Sequence, residues 1–261
     1  MSGAAADIAG LDSPARLVGA LAAMDADLRA RTLGGAPERA AVWIRAAADC
    51  GLAEGQLCYG QMLLEGRGVT RDPAAALAWF RRAAAAGDSE ALNMVGRCLE
   101  NGWGAPADIA GAAASYRGAA EAGHDWAQYN LGHLHLNGLG VGRDPAQALA
   151  WYRRAADQGH ARAMNLVARC LEQGWGAEAD PPAARAWYRR SAEAGYFRGQ
   201  FNHGLSLADQ GRPGEAAAWL ATALAAAPAT SRAAMLDALR SRPEPALAAL
   251  ADAERRVEAC C

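Results

Sequence analysis

Lysine is absent from this 261-residue chain; all 26 of its basic side chains are arginine. The absence excludes several chemistries at once. A phosphate-binding loop of the Walker type needs a lysine to reach the phosphates. Schiff-base and pyridoxal enzymes need an amine nucleophile, and kinases and Ser-x-x-Lys hydrolases need their own lysines. Aromatic residues are scarce at 7%, with only three phenylalanines. The six cysteines form no Cys-x-x-Cys pair, so the common zinc and thioredoxin spacings are missing. No apolar run reaches the ~18 residues of a membrane span. The opening residues, MSGAAADIAGLDSPARL, lack the basic and long apolar regions of a secretory leader. A reduced, cytoplasmic protein is expected. A net charge of −2 argues against nucleic acid as a partner, because phosphate binding needs a positive field.

What is abundant is alanine, about a quarter of the chain, which favours helix wherever packing allows. It is arranged in a repeat. Gly51, Gly87, Gly123, Gly159 and Gly195 stand 36 residues apart. Asp72, Asp108, Asp144 and Asp180 keep the same spacing. So do Trp43, Trp79, Trp151 and Trp187, with Ser115 in the vacant slot, and Gly60, Gly96, Gly132 and Gly204, with Ala168 standing in. Each unit reads as two helices. The second opens at an Asp N-cap, followed in three units by proline at the first helical position, and ends at glycine. One unit cannot bury such a face; stacked units can.

These residues resemble the Sel1-like repeat, a relative of the tetratricopeptide repeat. The third unit follows the family pattern nearly throughout, with His135 at the usual Tyr; the second departs at Ser115 and Ala105, the fourth at Ala168 and Ala177. The resemblance implies an all-α fold, a right-handed α-α superhelix or solenoid of 36-residue helix pairs with helical caps. Its expected parts are N-terminal capping helices with a degenerate repeat (1–54), four repeats (55–90, 91–126, 127–162, 163–198), a shortened fifth repeat (199–228) and C-terminal capping helices (229–261). It also implies a bacterial, non-enzymatic scaffold for protein–protein interaction. A hydrolase of cell-wall or β-lactam-like compounds and a purely structural spacer are the alternatives.

The candidate sites are few. His133 and His135, two apart on a helix, point to nearly opposite sides and do not share a metal; no metal or cofactor is expected. No nucleophile–base pairing suggests catalysis. The Gly-x-Gly elements at 66–68, 102–104, 138–140 and 174–176 follow helices, so they are turns rather than phosphate loops. Some relatives carry disulfides at the eight-residue spacing of Cys50 and Cys58, but this pair sits about two residues out of their register. Cys260 and Cys261 form a tail pair.

In the family's geometry the third and seventh positions of each unit face the concave side. Here these are Leu57/Gln61, Asn93/Arg97, Tyr129/His133, Asn165/Arg169 and Phe201/Leu205. A second period of 72 residues overlies the first: Asn93, Arg97, Cys98, Glu100 and Trp103 recur as Asn165, Arg169, Cys170, Glu172 and Trp175. Duplication of a pair of units or a ligand of matching spacing explains it. An Asn–Arg pair four residues apart suits a carboxylate. The ladder is therefore expected to bind a protein or peptide partner of acidic character, with Tyr129 between two charged anchors. The competing expectation is that Arg97 and Arg169 pair with Glu100 and Glu172 and only keep the face soluble.

Overall fold

The computed structural model describes residues 13–24, 32–242, 244, 245 and 247–252. The expected ends of the caps at 1–12, 25–31 and 253–261, including Cys260 and Cys261, lie outside them. Among the described residues there is no strand. The helices are α1 (Pro14–Ala23), α2 (Pro37–Asp49), α3 (Ala53–Glu65), α4 (Pro73–Ala85), α5 (Ser89–Asn101), α6 (Ile109–Glu121) and α7 (Asp125–Asn137). They continue as α8 (Pro145–Asp157), α9 (Ala161–Gln173), α10 (Pro181–Glu193), α11 (Phe197–Asp209), α12 (Pro213–Ala226) and α13 (Ala229–Arg240). The chain is an all-α solenoid of helix pairs, in which the odd-numbered helices from α3 to α11 are the A helices and the even-numbered ones from α4 to α12 the B helices.

It divides into two compact units, Met1–Leu134 with Gly138–Gly142, and His135–Asn137 with Arg143–Cys261. In the first, each helix from α1 to α6 packs on the next. In the second, α8 to α12 do the same, and the A helices α9 and α11 also touch.

The punctuation comes from backbone chemistry. The first N–H groups of a helix lack intrahelical partners. Asp72, Asp108, Asp144 and Asp180 supply one acceptor each, taking the N–H three residues on at 2.9–3.0 Å. The A helices use a different cap. Asp88 accepts from Ala91 N–H at 2.8 Å, and in the next two repeats histidine takes its place. His124 Nδ1 accepts from Ala127 at 3.2 Å and His160 Nδ1 from Ala163 at 3.1 Å.

Two glycine series set how closely the helices approach. A methyl at Gly60 would lie 2.6 Å from the Phe80 ring, and one at Gly96 2.7 Å from the Tyr116 ring. The fully buried aromatic of helix B therefore fills the space an A-helix side chain would take. The second glycine of each Gly-x-Gly turn has positive φ and lies against the start of the preceding B helix. A methyl at Gly104 would fall 2.1 Å from Pro73 O, and at Gly176 2.2 Å from Pro145 O. These turns join one repeat to the one before it.

Of the repeating tryptophans, Trp43 lies on α2 and Trp79, Trp151 and Trp187 on the B helices. Trp43 is in the core and Trp151 is 9% exposed, while Trp79 and Trp187 are half-buried. Arg82, Arg154 and Arg190 stack over Trp79, Trp151 and Trp187 at 4.5, 4.5 and 4.0 Å from the ring centroids.

Candidate functional site

The expected ladder is uneven in exposure. Leu57 is in the core, and Phe201 is buried at 9%. Gln61, Tyr129 and Leu205 are half-buried, and Arg97, His133 and Arg169 are exposed. Asn93 and Asn165 are only 5% and 4% exposed. Their side-chain carbonyls are already engaged, with consequences for the expected shared carboxylate. Asn130 Nδ2 donates to Asn93 Oδ1 at 3.1 Å, and Asn202 Nδ2 donates to Asn165 Oδ1 at 2.8 Å. The two asparagines of each pair tie neighbouring A helices together. In each pair the asparagine is buried and the arginine exposed, so the arginine is the group open to an outside anion.

The arginines do not pair with the neighbouring glutamates. Glu100 accepts the Tyr116 hydroxyl at 2.6 Å, and Glu172 accepts that of Tyr188 at 2.9 Å. Burial and the hydrogen-bonded carboxylate together push both phenols well above their usual range, so both remain donors. Arg97 instead lies over Trp103 and Arg169 over Trp175, each 5.5 Å from the ring centroid. Arg97 Nη1 also reaches the Met94 sulfur at 3.4 Å. Among the described residues neither guanidinium is ion-paired.

In the second unit these residues surround a cavity of about 370 Å³. Asn165 and Arg169 come from α9, Phe197, Arg198, Phe201 and Asn202 from α11, and Ser231, Ala234 and Met235 from α13. Two of the chain's three phenylalanines are here. Arg198 stacks over Phe197 at 5.7 Å and has no carboxylate partner among the described residues. Two unpaired guanidinium groups beside an aromatic wall fit an anionic group next to an apolar one. Sequence reasoning found Asn165, Arg169 and Phe201. It missed Arg198 and Asn202, which lie outside the expected third and seventh positions, and the α13 wall. The signal for Asn202 was present, since Asn130 and Asn202 keep the 72-residue period.

A second cavity, of about 410 Å³, shares Asn202 with the first and is lined by Glu172, Arg185, Tyr188, Asp209 and Arg242 among others. Its Arg242 is bound to Asp209 and Glu244. A third, of about 550 Å³, is largely apolar and includes Leu21, Trp43, Ile44 and Leu52.

The remaining candidates are structural. Cys50, Cys58, Cys98 and Cys170 are free thiols. Burial pushes Cys98 and Cys170 up to about 11, so they stay protonated and weak as nucleophiles. His135 is half-buried, its Nδ1 enclosed without a hydrogen-bond partner. Among the described residues no three His, Cys, Asp or Glu side chains gather to hold a metal, and no helix is long and apolar enough to cross a membrane.

The Sel1 repeat pattern matches residues 53–88, 89–124, 127–160 and 161–196, and the chain belongs to the Sel1 repeat family. Proteins of this family generally serve as scaffolds for protein interaction. The chain is similar in structure to c5321, a protective antigen of uropathogenic Escherichia coli with the same repeat fold. That match has a TM-score of 0.71 and 27% identity, and covers 85% of this chain and 47% of the antigen. The chain thus spans about half the antigen's length. A Sel1 repeat protein of Oxalobacter formigenes matches with a TM-score of 0.69 and 27% identity, over 81% of this chain and 85% of that one. No curated protein sequence matches.

Proposed function

We propose that this chain is a non-enzymatic scaffold that binds acidic peptide segments of a protein partner on the A helices of each unit. Arg97 supplies the charge recognition in the first unit and Arg169 in the second. Gln61, Tyr129, His133, Phe201 and Leu205 complete the binding surface and the two buried asparagines, Asn93 and Asn165, fix its backbone; Leu57 supports it from the core. The observation that carries the reading is the cavity of Asn165, Arg169, Arg198, Phe201 and Asn202, in which neither guanidinium has a carboxylate partner among the described residues. A bacterial, cytoplasmic setting fits the four unpaired thiols.

The test is a titration of a capped aspartate–glutamate–phenylalanine–aspartate–aspartate peptide against wild type and Arg97→Gln with Arg169→Gln. A charge-assisted contact contributes about 1.5–3 kcal/mol, so the affinity falls on the order of ten- to a hundredfold for each site lost. Wild-type binding also weakens between about 50 and 200 mM salt, as screening requires. Equal affinities and equal salt slopes contradict the proposal.

A further inference from the structure

The two arginine sites share more than sequence. In the first unit Arg97 lies 5.5 Å from the Trp103 centroid, Asn130 bonds Asn93 at 3.1 Å, and Tyr116 bonds Glu100 at 2.6 Å. In the second, Arg169 lies 5.5 Å from the Trp175 centroid, Asn202 bonds Asn165 at 2.8 Å, and Tyr188 bonds Glu172 at 2.9 Å. Each group therefore has the same parts. A tyrosine hydroxyl engages the glutamate one turn along from the arginine, an indole face supports the guanidinium, and an amide pair fixes the helix that carries it.

The fold does not require this set. The first repeat places Leu57, Gln61, Leu64 and Arg67 at the positions of Asn93, Arg97, Glu100 and Trp103. The third places Tyr129, His133, Leu136 and Leu139 there. Both repeats form helices of the same length as the others. The asparagines and glutamates have structural partners, but packing leaves the exposed arginine over its tryptophan unexplained, because half of the repeats do without it. An outward positive charge held clear of its nearest carboxylate is what an acidic ligand would use.

Aromatic surface accompanies each charge. In the second unit it is Phe197 and Phe201. In the first, the helix that Asn130 ties to the arginine's own carries Tyr129 and Trp126, which meet edge-to-face at 6.1 Å, and Trp126 is 42% exposed. The chemistry matches in kind: one cation, a fixed amide pair and an aromatic neighbour. It differs in degree, since Arg198 of the second unit occupies the position of Trp126 and adds a second positive charge.

We infer that the chain carries two self-contained acceptor sites for one short acidic, aromatic-bearing peptide motif, at Arg97 and at Arg169, and so takes up two copies of it. This rests on the proposed function and deepens it. The partner is then a protein that presents the motif in tandem. The second site is the tighter for a peptide of several carboxylates, because it has two guanidinium groups rather than one.

Calorimetric titration of the full chain with the same capped pentapeptide tests this. Wild type takes up two peptides per chain. Arg97→Gln and Arg169→Gln each take up one, and the double variant takes up none at the same concentrations. Arg198→Gln keeps two sites but weakens the second several-fold. Arg117→Gln, an exposed arginine on a B helix, changes nothing. Both site arginines are exposed, so glutamine is tolerated, and unchanged circular dichroism melts confirm that each variant is folded. One peptide per wild-type chain, lost in Arg169→Gln and untouched in Arg97→Gln, overturns the two-site inference while acidic-peptide binding stands. No heat with wild type overturns the binding reading itself, and this inference with it.

Discussion

Asn202 donates its side-chain N–H to the carbonyl oxygen of Asn165 at 2.8 Å, joining two A helices through residues 37 apart. The acceptor belongs to a residue only 4% exposed, so breaking the bond strands a polar group in a dry place. Asn202→Ala, which leaves the buried Asn165 carbonyl without its donor, is expected to cost about 1–3 kcal/mol. A double-mutant cycle with Asn165→Ala separates the bond from its surroundings. Denaturant melts in which the two losses simply add contradict the pairing.

The core aromatics of the B helices set the stability of the stack. Trp151 is 9% exposed and carries Arg154 over its ring at 4.5 Å. Trp151→Ala is expected to destabilise by about 3–5 kcal/mol, the range for truncating a buried aromatic. A loss below about 1 kcal/mol in urea melts shows that the residue is not core.

Two histidines act as helix caps, a role that asks for an unprotonated Nδ1. His124→Ala removes the acceptor for Ala127 N–H and is expected to cost about 0.5–2 kcal/mol. His124→Asp reproduces the Asp88 cap of the preceding repeat and keeps the stability. Melts that rank aspartate with alanine contradict the capping role.

His203 gives the second unit a pH dependence. Burial, helped by Arg189 and Arg212, lowers its folded-state value from 6.5, while Glu193 and Glu215 oppose the shift. The unfolded chain then takes up the proton first. Stability is full above about pH 6.5 and declines as the pH falls below it. Wild type should lose urea resistance more steeply than His203→Gln between about pH 6.5 and 5. Parallel slopes contradict the shift.

The repeat was legible because its markers are backbone devices. Asp72, Asp108, Asp144 and Asp180 cap helices, and Gly104 and Gly176 sit where no side chain fits, so residue identity follows from local geometry. The site was legible only in part. Arg169 and Phe201 are visible from register, but Arg198 lies outside the third and seventh positions of its unit, and Ser231 and Met235 join them through packing of α13, which has no repeat partner to mark it. The 72-residue period was visible, yet its meaning needed the Tyr116–Glu100 and Tyr188–Glu172 bonds, whose partners lie on different helices. The histidine caps were hidden because histidine is an unusual acceptor at that position, although Asp88 one repeat earlier marks it.

The central claim is that an acidic peptide meets the A-helix arginines. Side-chain Nε resonances of arginine, followed by nuclear magnetic resonance during titration with the capped acidic peptide, test it most directly. The account predicts that the resonances of Arg97 and Arg169 move and saturate, while those of Arg82, Arg154 and Arg190, stacked on the B-helix tryptophans, stay in place. Movement of the B-helix set with Arg97 and Arg169 unmoved would contradict it.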